Sequence, residues 1–277
     1  MSASGPDADP GALATGAGPA LRGLSRFAGR RGIPAGCEFL LDYDVIEAFC
    51  VAGLPGARPC TRGTYRSALY RLAARVHGEP GQRGTPFAGA RPPPPYSLAE
   101  RAELAAIAAA QRDPARRASA LAVVVFGIGA GLRPGELVAL RGSDVTRHGR
   151  RVSVHVSGPA ARVVPVTAGY ARRAAGLAAA AGNGHLFRSG PADRGYKNFV
   201  TNFARTLTAD PAAPRLTLGR CRSSFICGHL AAGTPAGELL AITGIRQAES
   251  LARYARHVGG APSKAALRTW DRHHQAR

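Results

Sequence analysis

The chain has 277 residues, with 37 Lys and Arg against 17 Asp and Glu and a formal net charge of +20. Its length suits one large domain or two smaller ones, and a pI near 11.3 points to a polyanionic partner, above all nucleic acid. The five cysteines (Cys37, Cys50, Cys60, Cys221, Cys227) make no CxxC and no Cys/His zinc spacing, so no metal or other cofactor is expected. Reduced thiols and a cytoplasmic, nucleoid-associated protein fit that usage better than secretion. The longest apolar run, 118–132, is too short and too interrupted by glycine to span a bilayer, so no membrane partner is expected. Lys197 and Lys264 are the only lysines: base composition explains arginine over lysine, but not bases over acids.

Residues 1–33 are rich in Gly, Ala and Pro without periodicity, so a disordered tail is expected. Arg22, Arg26, Arg30 and Arg31 make its end basic, fit either to track phosphates or simply to be solvated. Residues 34–78 read as a small helical domain. Asp42 or Asp44 caps a helix over 45–50, and Gly53 with the Leu54-Pro55-Gly56 turn ends it. Thr61 caps a second helix with Tyr65, Leu69, Leu72 and Val76 on its apolar face. The other face carries Arg62, Arg66, Arg71 and Arg75, suited to DNA backbone contact or to solvent. Residues 79–96 form a Pro/Gly/Arg linker whose four prolines, 92–95, predict a semi-rigid polyproline II spacer.

Residues 97–277 open with the capping box Ser97-Leu98-Ala99-Glu100. A helix follows to about 110, then an apolar core helix over 116–128. Segments 152–156 and 162–166 alternate as strands of a hairpin around Ser157-Gly158-Pro159, and 168–181 and 195–207 read as helices. The tail 261–277, with Trp270, His273 and His274, also looks helical. The fold class is mainly α with a small β-hairpin or sheet (α+β).

Two stretches carry chemistry. The first is Gly129-Ala130-Gly131-Leu132-Arg133-Pro134-Gly135-Glu136-Leu137, in which the glycines permit a tight turn between helices that presents Arg133 inward towards a phosphate. Taken alone it also fits an ordinary helix–helix turn with a surface arginine. The second stretch places Arg222 at the mouth of a helix, then Gly233, an apolar helix, Gly244 and Tyr254. Together they resemble the catalytic domain of the tyrosine recombinase (phage-type integrase) superfamily, over about 97–257, with a looser resemblance of 34–78 to its core-binding domain.

The resemblance implies a phosphate clamp of Arg133 and Arg222 and a nucleophile at Tyr254, acting on double-stranded DNA without a cofactor. Two guanidiniums hold both non-bridging oxygens of a phosphate and stay charged at any working pH. A tyrosine hydroxyl stores the bond energy as a phosphotyrosine. It also implies a tail packed on a neighbouring protomer, hence a homo-oligomer on DNA. Three family positions depart from the pattern. Gly219 and Ile245 stand where histidines are usual, and Gly158 or Pro159 where the hairpin carries a lysine. Arg162 is a poor proton donor, but with Arg62, Arg66, Arg220 and Arg246 it is a candidate DNA contact. Arg253 and Arg256 flank the tyrosine, His229 turns to another face, and His257 reads as a surface residue. A site-specific recombinase, a catalytically degenerate DNA binder and, on composition alone, an RNA-binding protein remain open.

Overall fold

The structure, a computed structural model, describes residues 10–82, 84–87, 91–187, 198–207 and 210–259. The chain divides into two compact units, Met1–Arg91 and Pro92–Arg277.

The first unit is helical: α1 (Pro10–Gly29), α2 (Cys37–Leu40), α3 (Tyr43–Ala52) and α4 (Pro59–His77). Asp42 caps α3, its Oδ1 accepting from the amides of Asp44 at 2.9 Å and Val45 at 3.3 Å. Proline in the first turn starts α4, and Gly78 in the left-handed region stops it. Helix α1 overturns the expected disorder of the N-terminal tail from residue 10 onward; residues 1–9 lie outside the described residues. Ala20, Leu24 and Phe27 recur at helical spacing and are buried against Ile46, Phe49, Leu69 and Ala73. That short apolar stripe was hidden by the surrounding Gly, Ala and Pro.

Two expected DNA contacts are also corrected. Helix α4 packs against both α1 and α3, so its buried face centres on Arg66, Leu69, Tyr70 and Ala73, while Val76 is 45 % exposed. Arg66, 7 % exposed, pairs with Glu47 at 3.1 Å, and the same carboxylate accepts from the Tyr70 hydroxyl at 2.7 Å. Arg62 donates to the carbonyls of Val51 at 2.9 Å and Leu54 at 3.1 Å, so it closes the end of α3 rather than facing outward. The first part of the expected linker belongs to this unit. Tyr43, Tyr70 and Arg66 donate to the carbonyls of Glu79, Gln82 and Thr85, and Arg66 lies 4.3 Å over the Phe87 ring.

The second unit is built on α6 (Pro114–Gly129), buried at nearly every position from Ser119 on. Around it stand α5 (Leu98–Ala109), α8 (Ala168–Ala181) and α10 (Leu218–Ala231). The capping box at α5 forms as expected: Glu100 N donates to Ser97 Oγ, and Ser97 N to Glu100 Oε2 at 2.8 Å. Helix α7 (Pro134–Ala139) leads into an antiparallel sheet of β1 (Val145–His148), β2 (Arg151–Val156) and β3 (Arg162–Pro165). Val154 pairs with both Val145 and Val164, and Val156 with Arg162. The expected hairpin is present; β1 was missed because its sequence, VTRH, is short, polar and half exposed. Next come α9 (Phe199–Arg205), α11 (Ala236–Thr243) and α12 (Ala248–Ala255). The fold is thus mainly α with a small antiparallel sheet. Among the described residues no helix is long and apolar enough to cross a membrane. The expected helical tail at 261–277 lies outside the described residues.

Candidate active site

Helix α6 ends at Gly129, and Gly131 turns the chain with φ +61° over the ring of Phe225. A Cβ at 131 would lie 2.5 Å from Phe225 Cδ1, so both the conformation and the close approach require glycine. The turn delivers Arg133 to the start of α7, where its amide donates to Glu136 Oε2 at 2.8 Å. The Arg133 side chain, 41 % exposed, donates through Nη2 to the Gly244 carbonyl at 2.7 Å.

Arg222 projects from the first turns of α10, which Thr217 caps through Arg220 N. It donates to the Gly131 carbonyl through Nη1 and to the Thr243 carbonyl through Nη2, each at 2.6 Å. Burial, and then the nearby charge of Arg133, lower its pKa; Tyr254 and Glu136 oppose that shift. A guanidinium starts so high on the scale that it remains a cation. The two arginines therefore meet at the C-terminal end of α11, on adjacent carbonyls. A helix C-terminus carries partial negative charge, which favours cations there.

Glu136 braces the site. Burial alone would raise its carboxyl pKa, but the hydrogen bonds from Arg162 and from Arg133 N, with both positive charges, hold it below the usual carboxylate range. Arg162 binds it in a fork, Nη1 to Oε1 at 2.8 Å and Nη2 to Oε2 at 3.0 Å, and donates through Nε to the Ile242 carbonyl at 2.8 Å. With its side chain 7 % exposed, Arg162 is an internal strut and not the DNA contact expected of it. Three guanidiniums against one carboxylate leave this cluster with a net charge of +2.

Tyr254, on α12, is half-buried against the main core, and its carbonyl accepts a weak bond from Cys227 Sγ at 3.8 Å. Its phenol lies within electrostatic reach of Arg222, and among the described residues its hydroxyl has no hydrogen-bond partner. Arg133 and Arg222, distant in sequence, are thus brought to one place on the Thr243 and Gly244 carbonyls.

The positions that depart from the resembled pattern have defined surroundings. A Cβ on Gly219 would lie 3.3 Å from Pro93 Cγ, because the proline run lies across the start of α10. Arg220 holds that run, donating to the carbonyls of Pro94 at 3.2 Å and Pro95 at 3.4 Å. It also pairs with Glu100 at 2.7 Å and stacks 3.9 Å over Tyr96, so it too is structural, against expectation. At the other end, Pro92 O receives Arg256 Nη2 at 3.5 Å and His257 Nε2 at 3.1 Å. His257 is accordingly half-buried, not the surface residue expected. The prolines 92–95, expected as a semi-rigid spacer, are docked instead: their carbonyls, unused in a polyproline II strand, are what the arginines and histidine bind. Ile245 packs against the core, and the β2–β3 turn, with Gly158 at φ +92°, presents no lysine. His229 has Nδ1 on Thr234 Oγ1 at 3.0 Å and its ring edge-on to Phe225; burial lowers its pKa. Arg246, Arg253 and Arg256 are exposed.

No family model and no curated protein matches this chain. Solved structures do. The XerH site-specific recombinase bound to difH substrate, in a pre-cleavage complex, is 14 % identical over 77 % of this chain and 67 % of its own, with a TM-score of 0.56. Its post-cleavage complex on palindromic difH gives 13 % identity over the same shares, also at 0.56. The Tn1549 transposon integrase in complex with transposon right end DNA is 12 % identical over 91 % of this chain and 98 % of its own, at 0.53. The likeness is one of fold: the chain has the fold of the tyrosine recombinases and integrases, in divergent form.

Proposed function

We propose that this chain binds double-stranded DNA, and cleaves and rejoins a strand of it through a phosphotyrosine at Tyr254, as a divergent tyrosine recombinase. The observation that carries the reading is the meeting of Arg133 and Arg222 on the adjacent carbonyls of Gly244 and Thr243, with the Tyr254 phenol within electrostatic reach of Arg222. Residues 34–78 would serve as the DNA-gripping arm and 97–277 as the catalytic domain.

In the reaction the two guanidiniums hold the non-bridging oxygens of the scissile phosphate and stabilise the charge that builds there. The Tyr254 oxygen attacks phosphorus in line; the bond to tyrosine forms as the bond to the 5′ oxygen breaks. The phenolic proton passes to water, and the 5′ oxygen takes one from water, since neither the hairpin turn nor positions 219 and 245 offer an acid. Attack by the 5′ hydroxyl on the phosphotyrosine restores the strand without a cofactor. A missing general acid–base group costs about 10²–10⁴-fold in rate, so cleavage is slow. Arg246 and Arg253 are exposed, Arg253 next to the tyrosine in sequence, and suit phosphates near the cut. A homo-oligomer on DNA is part of the same proposal.

A second reading has its own observation. Pro93 occupies the space beside Gly219 and Ile245 packs into the core, as befits a protein that keeps its grip on DNA and has retired its chemistry. Nicked suicide duplexes cut from the DNA flanking the gene separate the two. A covalent protein–DNA adduct on a denaturing gel that disappears in Tyr254→Phe supports cleavage. Tight duplex binding by both proteins with no adduct supports the binder.

A further inference from the structure

Resting on the reading of Arg133 and Arg222 as a phosphate-binding pair, we infer that Arg162 is a positioning residue that keeps Glu136 from capturing Arg133. Among the described residues Glu136 is the only carboxylate in the cluster, and its side chain is 12 % exposed. Its short bonds go to Arg162 at 2.8 and 3.0 Å and to the Arg133 amide at 2.8 Å. The Arg133 guanidinium receives only a long contact, 3.7 Å from Nη1 to Oε1. That division leaves Arg133 charged, exposed and able to turn towards an anion.

Without Arg162 the division fails. A buried carboxylate that loses a forked partner takes the nearest cation, because an unpaired charge there is costly. The nearest cation is Arg133, three residues away in the same turn. Its guanidinium would be drawn inward, and the net charge of the cluster would fall by one.

A second set of bonds fixes the geometry. Ile242, Thr243 and Gly244 present consecutive carbonyls at the end of α11, and each accepts from a different arginine: Arg162, Arg222 and Arg133 in turn. Arg162 also donates to Ala160 O in the β2–β3 turn at 3.0 Å. One buried side chain thereby joins the hairpin, α7 and the end of α11, the elements that place both phosphate-binding arginines. A side chain at Gly244 would intrude on it, since a Cβ there lies 3.3 Å from Arg162 Nη1.

The test uses the full chain with ¹⁵N-labelled arginine, following the side-chain Nε–H signals of Arg133 and Arg222 during titration with inorganic phosphate. In the wild type both signals move. In Arg162→Met the Arg133 signal shifts before any phosphate is added, to that of a carboxylate-paired guanidinium, and phosphate affinity drops about 10-fold or more. In the double variant R162M/E136Q, with no carboxylate left to compete, affinity returns to within about 3-fold of wild type. A folded R162M with unchanged affinity, or a double variant as weak as the single, overturns the inference. Were R162M not to fold, Arg162→Gln and R162Q/E136Q give the same contrast, since glutamine carries no charge to pair with Glu136. Phosphate that moves neither arginine signal in the wild type overturns the parent reading, and the inference falls with it.

Discussion

Gly131→Ala is the most informative single substitution, because one methyl group bears on both stability and the site. The residue sits at φ +61°, where an L side chain costs about 1–2 kcal/mol. The new Cβ would lie 2.5 Å from Phe225 Cδ1 and 2.8 Å from Cγ, inside contact distance of a fully buried ring. Relieving such overpacking typically costs about 1–3 kcal/mol, so the two terms together give about 2–5 kcal/mol. For a unit of this size each kcal/mol lowers Tm by about 2–4 °C, so a fall of about 4–20 °C is expected in a melt followed by circular dichroism. The carbonyl of residue 131 also receives Arg222 Nη1, so adduct formation should fall further than the loss of folded protein explains. Gly135→Ala is the internal control. It lies in α7 with nothing within 4 Å of its Cβ, and alanine there gains up to about 1 kcal/mol of helix propensity. If G131A melts with the wild type, or if both substitutions behave alike, the packing argument at this turn is wrong.

Two further outcomes follow from the same geometry. Gly219→His, which places there the residue usual in the family the sequence resembles, should lower Tm and yield no more adduct, because Pro93 stands 3.3 Å from the Cβ position. The double variant P93G/G219H should recover the loss; a gain of adduct by G219H alone at unchanged Tm would contradict the account. Glu136 supplies a pH dependence. Its folded pKa lies below its unfolded value of about 4.3, so its contribution is complete above that pH and is lost as pH falls through the folded pKa. Glu136→Gln should therefore be less stable near neutrality and show a shallower loss of Tm below about pH 5. An acid limb as steep as the wild type's would show that other carboxylates set it.

Much of the second unit was legible because its punctuation is local. The Ser97–Glu100 box, the hairpin around Gly158 and the turn before Arg133 are each written in a few neighbouring residues, and α8 has the bounds read from sequence. The arginines were not legible in the same way. Arg66, Arg162 and Arg220 looked like DNA contacts, yet their acids lie 19, 26 and 120 residues away, at Glu47, Glu136 and Glu100. No helical or strand period connects such pairs, so a charge pattern cannot tell a buried strut from an outward contact. Arg71, Arg75 and Arg246, by contrast, are exposed. Helix α1 escaped notice for a related reason: its stripe is narrow and acquires meaning only against Phe49 and Leu69. The proline run misled in the opposite sense, since a rigid extended strand suits a docked strap as well as a spacer.

The most direct test of the central claim is to locate the covalent link itself. Protein trapped on a nicked duplex is digested with nuclease and protease, and the peptide bearing the residual nucleotide is sequenced by tandem mass spectrometry. The account predicts a nucleotide esterified to Tyr254 and to no other residue. A nucleotide on a different side chain, or duplex bound tightly with no linked peptide, would contradict it.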